Sequence, residues 1–179
     1  MKNIEIEVRS FITQKQYKEL IKRLNKKAKF RDEIREETIY FNGSKDLRIR
    51  NNGKNAFIIL KGGKIHDRWR EELEVKCNSK DFRRLEKLFQ KLGYKIRIKW
   101  FRKRRLYKLN GINIFLDYTK GYGYIIELEM IISNRQIKTI QRKLKDKLKS
   151  LGIKITPKKE FDAKFKYYKE HWKKILKHK

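Results

Sequence analysis

Carboxylates recur at alternate positions in three places along this chain: Glu5 and Glu7 in Ile4-Glu5-Ile6-Glu7-Val8-Arg9, Glu72 and Glu74 in Arg70-Glu71-Glu72-Leu73-Glu74-Val75-Lys76, and Glu127 and Glu129 in Ile125-Ile126-Glu127-Leu128-Glu129-Met130. Arg48 and Arg50 have the same spacing in Leu47-Arg48-Ile49-Arg50, and Asp117 alternates with Phe115 and Asn113. A spacing of two places side chains on one face of a β-strand. Two carboxylates ~4 Å apart repel by roughly 4 kcal/mol at an effective dielectric of about 20, so they need a cation, a guanidinium or a proton between them. Oxygen-only donors without His or Cys suit hard ions such as Mg²⁺ or Mn²⁺ rather than zinc. Arg and Lys in the same place suit an anion with many oxygens, such as a polyphosphate. A hard-metal site beside a cationic clamp is the arrangement that phosphoryl transfer requires.

The elements that must position these groups follow from the pattern. After the first strand, Thr13 with Gln16 makes a capping box for a helix carrying Tyr17, Leu20, Ile21 and Leu24. Strands are expected at residues 36–41, 47–50, 56–61 and 68–76, joined by short Asn/Gly turns into an antiparallel meander. Ser79 is expected to cap a helix striped by Phe82, Leu85, Leu88, Phe89 and Leu92, with Gly93 ending it. A basic strand over 95–107, a strand over 112–118 and the third glutamate strand follow, the last two separated by Gly121 and Gly123. Ser133 or Asn134 is expected to cap a helix with Ile137, Ile140, Leu144, Leu148 and Leu151. After Pro157, the spacing of Phe161, Phe165, Tyr168, Trp172 and Leu176 predicts a terminal helix with one aromatic stripe, docked on the body.

Each glutamate strand is aliphatic on its other face, as Ile4, Ile6 and Val8 show in the first. The amphipathic helices need apolar surface and are expected to cover those faces. In an open sheet the charged side would be solvated. Its repetition across so many strands favours a closed sheet with the charges lining its interior, since strands in such number close to remove their edges. In the basic strand Arg97 and Lys99 share one parity and Arg102 and Arg104 the other, so either a bulge switches faces or the first pair is solvated.

Composition sets the limits. A chain of 179 residues reads as a single domain over 1–179, with residues 157–179 as its docking helix. The net charge of +30 invites a nucleic-acid reading, but lysine is spread through every segment and clusters only at 95–105 and after residue 154. Biased base composition of the coding sequence accounts for such a spread, and nucleic acid is the secondary partner. One cysteine, Cys77, excludes an intrachain disulfide framework and fits a reducing, cytoplasmic setting. No run reaches membrane-spanning length and the N-terminus carries no signal-peptide pattern. A monomer or a homodimer is expected.

The ordered set of E-x-E strand, L-R-I-R strand, strand ending in K-G, R-x-E-x-E strand, R-x-R-x-x-Y strand and D-x-x-x-G-x-G-x-x-x-E-x-E resembles the CYTH family, or triphosphate tunnel metalloenzymes, over residues 3 to about 132. Its members include class IV adenylyl cyclases, thiamine triphosphatases and inorganic triphosphatases. The resemblance implies an α+β fold, a closed eight-stranded antiparallel β-barrel or tunnel with charged residues inside and helices packed on its outside. It implies that Glu5, Glu7, Asp117, Glu127 and Glu129 hold Mg²⁺ or Mn²⁺, and that Arg9, Arg48, Arg50, Lys61, Arg70, Arg102 and Arg104 clamp a triphosphate. Glu72 and Glu74 would balance those cations or assist the metal, and Lys61 with Tyr40 would activate the attacking water. Arg9 stands where the family has lysine, Thr38 where an acidic residue is usual, and Phe161 with the aromatic stripe replaces a C-terminal serine-tyrosine signature.

The implied activity is metal-dependent hydrolysis of a small-molecule triphosphate: tripolyphosphate, thiamine triphosphate or a nucleoside triphosphate. The alternatives are a class IV adenylyl cyclase forming cyclic AMP and pyrophosphate, and a non-catalytic binder of polyphosphate or RNA.

Overall fold

The computed structural model describes residues 4–62, 72–132 and 136–177. In chain order the elements are β1 (Ile4–Ile12), α1 (Gln14–Lys27), β2 (Lys29–Phe41), β3 (Asp46–Asn51), β4 (Asn55–Lys61), β5 (Glu72–Asn78), α2 (Phe82–Lys91), β6 (Ile96–Leu109), β7 (Ile112–Thr119), β8 (Gly123–Ile132), α3 (Ile137–Ser150) and α4 (Lys158–Lys177). The fold is α+β. All strands join one antiparallel eight-stranded sheet, ordered β1-β8-β7-β6-β2-β3-β4-β5. The expected closure is not among these ladders: β1 and β5 are the edges of the described sheet, and residues 63–71, which lead into β5, lie outside the described residues.

Local chemistry accounts for most of the element ends. Thr13 closes a capping box with Gln16, each backbone N–H donating to the other's side chain at 2.8 and 3.1 Å. Ser79 does not cap α2 directly. Asn78 accepts from the Lys80 N–H and starts a short 3₁₀ turn, Ser79–Asp81, from which α2 continues. The expected caps Ser133 and Asn134 lie outside the described residues. Strand β2 starts seven residues earlier than residue 36 because it pairs with β6 from Lys29↔Lys108 to Phe41↔Ile96. The segment 29–35 has no apolar alternation to announce it. Its charge is instead neutralised across the ladder, with Glu33 taking Lys103 at 2.8 Å and Arg105 at 2.5 Å.

The ladder registers put the aliphatic side chains on one face, and α1, α2 and α3 cover it except at the edge strand β5, where the expected cover is missing among the described residues and Leu73 and Val75 are exposed. Under α1 and α3 lie Ile6, Val8, Ile114, Leu116, Ile126 and Leu128, with Leu20, Leu24, Leu144 and Leu148 from the helices, all buried. Under α2 lie Ile39, Phe41, Ile49 and Ala56 with Phe82. Burial of each such side chain contributes about 1.5–3 kcal/mol, which is what orients the sheet and turns its charged face away from these helices.

The fourth helix corrects the expectation that all helices lie outside. Phe161, Phe165, Tyr168, Trp172 and Ile175 pack on Phe11, Tyr40, Ile98, Trp100, Tyr122 and Ile125. Phe11, Tyr40, Ile98, Trp100 and Ile125 alternate in phase with the charged residues, so α4 covers one end of the charged face itself. The reason is that this end is aromatic rather than ionic and needs a cover. Tyr168 donates its hydroxyl to the Lys99 carbonyl at 2.9 Å, and the Trp100 ring lies 5.0 Å from Tyr168 and 4.6 Å from Tyr122. Gly121 makes the close approach feasible: its φ is +73°, and a Cβ there would overlap Ile175. Among the described residues no helix is long and apolar enough to cross a membrane.

Replacing Gly121 with alanine should cost about 1–2 kcal/mol for the left-handed backbone alone, with the overlap added. The expected result is a lower Tm and faster proteolysis within α4, and a variant as stable and resistant as the parent would contradict the packing. Burial pushes the Tyr122 phenol from 10.0 up to about 12 and raises that of Tyr168. A raised phenol pKa favours the neutral form in the fold, so this contribution is complete below pH 10.0 and is lost as the pH climbs through about 12. Absorbance titration should show tyrosines ionising late, together with release of α4; ionisation of all nine near pH 10 would refute it.

Candidate active site

The registers bring nearly every residue singled out by alternation to one face. Arg9 is opposite Glu127 and Glu7 opposite Glu129 in the β1–β8 ladder. Glu127 is opposite Phe115, and Glu129 opposite Asn113, across β8–β7. Arg104 faces Asp117 across β6–β7. Beyond β2, Arg48 and Arg50 of β3 stand opposite Tyr40 and Thr38, and Lys61 of β4 opposite Asp46 and Glu72. Glu5 and Glu72 take register positions on this face, although their side chains lie outside the described residues, as does the whole of Arg70.

Arg104 is the centre of this face. Its Nε and Nη2 donate to Asp117 at 2.8 and 2.7 Å, a two-pronged fork, and Nη2 also reaches Glu127 Oε1 at 3.2 Å. The guanidinium lies 4.2 Å from the centre of the Phe115 ring. Burial by itself would depress its pKa, but the Glu127 and Asp117 carboxylates beside it outweigh that and hold it above its ordinary value. It is a permanent cation at any working pH.

Arg102 extends the network. It donates Nε to Glu36 at 2.8 Å and Nη2 to the same oxygen at 2.5 Å, and lies 3.4 Å from Asp117. On β3, Arg48 donates to Asp46 at 2.6 Å and to the Tyr40 hydroxyl at 3.1 Å, stacking 4.8 Å from that ring. Arg50 donates to Glu74 at 2.9 Å, while its Nε is buried with no hydrogen-bond partner among the described residues. Glu129 accepts from Asn113 at 3.0 Å. Arg9 is 3.9 Å from Glu7, and its guanidinium sits 5.0 Å from the ring of Phe161 on α4. A planar fork at residue 9 therefore has an aromatic partner in place of the family's lysine.

In the basic strand the β2–β6 register runs without interruption past Trp100 and Phe101; the shift comes earlier, between Ile96 and Ile98, where Arg97 has no residue opposite it. Lys99 points to the helix side and pairs with Glu86 of α2 at 2.7 Å. Tyr40 and Lys61, expected to act together, are on strands separated by β3, and the Tyr40 hydroxyl accepts from Arg48.

Glu36 and Asp46 were not anticipated, yet they neutralise Arg102 and Arg48. Parity could have found both: Glu36 is in phase with Thr38 and Tyr40, and Asp46 with Arg48 and Arg50. The share of α4 in this face could not be read from alternation at all.

As they stand, no three carboxylate, histidine or cysteine side chains among the described residues converge to hold a metal. The donors nevertheless fit a hard divalent ion: Glu7, Asp117, Glu127 and Glu129 offer only oxygens from three neighbouring strands. Arg104 supplies positive charge between two of them.

The CYTH domain profile matches residues 3–159. A Methanocaldococcus jannaschii protein named "Putative adenylate cyclase" is 35% identical over 164 residues, covering 84% of this chain and 90% of that one. Two solved structures share the fold. One, from Pyrococcus horikoshii OT3, has a TM-score of 0.71 at 28% identity, covering 87% of this chain and 96% of its own. The other, a conserved protein from Pyrococcus furiosus, has a TM-score of 0.69 at 25% identity, covering 84% and 91%. A profile match over most of the length, on a sheet that gathers the motif's acids and bases on one face, makes this chain a member of the CYTH family.

Proposed function

We propose that the charged face binds a triphosphate and that, with a bound Mg²⁺ or Mn²⁺, the protein hydrolyses it. The observation that carries this reading is the shared face itself: Arg48, Arg50, Lys61, Arg102 and Arg104 lie in phase with Glu7, Asp117, Glu127 and Glu129. Closure of the sheet by approach of β1 to β5 belongs to the same proposal, because a water-poor tunnel strengthens every ionic contact within it. It would bring Glu5 and Glu7 round towards Glu72 and Glu74, and add Arg70 to the wall.

The chain's own groups then divide the work. Arg48, Arg50, Arg102 and Arg104 hold phosphate oxygens as planar forks, with Lys61 and Arg9 adding charge. The Nε of Arg50 is a buried donor without a partner among the described residues, which a phosphate oxygen would satisfy. Glu5, Glu7, Asp117, Glu127 and Glu129 hold the metal, which when bound offsets charge on the phosphate oxygens. Glu36, Asp46, Glu72 and Glu74 keep the cations from repelling one another until the anion arrives. Tyr40, fixed by Arg48, and Lys61 are the groups assigned to orient the attacking water. The cytoplasm is the setting proposed, consistent with a free Cys77.

The cyclase reading is supported by the name of the archaeal relative. In it the ribose 3′-hydroxyl attacks the α-phosphate and pyrophosphate leaves. Hydrolysis is preferred because the inward aromatic rings of Phe11, Tyr40 and Trp100 are packed with α4 rather than open to a purine.

Incubation with Mn²⁺ and, in turn, tripolyphosphate, thiamine triphosphate and ATP should release orthophosphate. Cyclic AMP and pyrophosphate from ATP would establish the cyclase instead, and no turnover of any triphosphate would remove both readings. Changing Glu127 and Glu129 together to glutamine should lower turnover by about 10²–10³-fold, the usual size for lost electrostatic stabilisation, and abolish Mn²⁺ uptake measured by calorimetry in the presence of tripolyphosphate. Undiminished Mn²⁺ affinity in a folded double variant would take the metal site away from β8.

A further inference from the structure

The helix side of the sheet has a gap. Over the middle of β2, β6 and β7, between the parts covered by α1 and α2, lies a groove of about 490 Å³. Its floor is Phe101 and Tyr118, each 37% exposed, with Arg35, Lys103 and Lys120 around them. The register explains the composition: Arg35 is opposite Lys103, and Lys103 opposite Tyr118, so cations and rings alternate across three strands. Phe101 stands one step along from Lys103, and its carbonyl accepts from the Lys120 N–H at 3.1 Å. One wall is the β3–β4 turn at Asn51 and Gly53, stiffened by the Gly53 N–H donating to Asn51 Oδ1 at 2.8 Å.

The electrostatics of the groove are uneven. Glu37, its nearest carboxylate on this side, is taken by Arg83 at 2.6 and 2.9 Å. Lys103 and Arg105 share the single carboxylate of Glu33, which leaves that trio one positive charge in excess. Arg35 is exposed and has no carboxylate partner among the described residues. No ring among the described residues packs on Phe101, and Tyr118 keeps only Tyr124 at 4.7 Å. Adjacent exposed rings rimmed by charged residues are the kind of surface that marks an interaction site. Diagonal cross-strand neighbours such as Phe101 and Tyr118 stand about 7–8 Å apart, a separation that admits a flat ring to stack beside either.

We propose that this groove binds single-stranded nucleic acid, bases stacked on Phe101 and Tyr118 and phosphates on Arg35 and Lys103; the Lys120 ammonium at its border donates to the Leu176 carbonyl of α4 at 3.3 Å. Charge decides the occupant. The chain carries +30, and a protein partner of ordinary composition would not be selected by two cations interleaved with two rings, whereas a flexible strand offers both phosphates and π-faces. The two rings, Arg35 and Lys103 are out of phase with the charged face, although the Glu36–Arg102 pair of that face also borders the groove; stacking on the rings does not depend on the triphosphate reading.

The test is fluorescence anisotropy with a labelled oligouridylate, set against an abasic strand of the same length. The parent protein should bind the base-bearing strand about tenfold or more tightly, because each stacked base adds to the phosphate contacts. Changing Phe101 and Tyr118 together to alanine should remove that preference while leaving triphosphate turnover and abasic binding unchanged. Changing Arg35 to alanine should weaken both strands alike and reduce the salt slope by about one. Equal affinity of the parent for the two strands, no binding, or an undiminished preference in a folded double variant would each overturn the proposal.

Discussion

The Arg104 guanidinium, buried between the carboxylates of Asp117 and Glu127, is the interaction that the charged face cannot do without. Three strands meet through it: β6 provides the cation, β7 the two-pronged acceptor and β8 the second acid. Removing one partner of such a group leaves an uncompensated charge, which typically costs about 3–5 kcal/mol. The same fork explains how two acids on neighbouring strands can stand close together: their repulsion is answered internally by one guanidinium.

The sheet is thereby asked to bury two different surfaces. Its aliphatic face, β5 apart, is covered by α1, α2 and α3 at ordinary hydrophobic gain. Its other face is ionic over most of its area and aromatic at one end, and α4 closes the aromatic end. Gly121 and Gly123 belong to this second packing problem. They match the spacing of the family motif, and Gly121 is what lets the last turns of α4 reach the β7–β8 connection. Arg9 joins the two regions, since its guanidinium lies on Phe161 while its backbone runs opposite Glu127. The arginine at residue 9 and the aromatic ring at 161 are thus in direct contact.

The basic strand shows how one element serves both faces. Even-numbered Arg102 and Arg104 enter the ion network, whereas odd-numbered Lys99 and Lys103 face the helix side. Excess lysine is therefore not uniform in effect. Where it meets Glu86 or Glu33 it is a structural neutralisation.

Alternation along the chain determined which side chains share a face, because the direction of a strand side chain is fixed by its own backbone and repeats every two residues. Hence Glu7, Arg48, Arg50, Arg102, Arg104, Asp117, Glu127 and Glu129 could be grouped without coordinates, and the ordered motifs were enough to suggest the family. Which acid meets which base was not legible: Glu36 with Arg102 and Asp46 with Arg48 depend on how strands are registered and on which rotamers their neighbours leave open. The place of α4 was undecided for the same kind of reason, since an aromatic stripe states only that something apolar covers it. The tertiary structure alone put that cover on the charged side, where Phe11, Tyr40 and Trp100 gather from strands far apart in sequence.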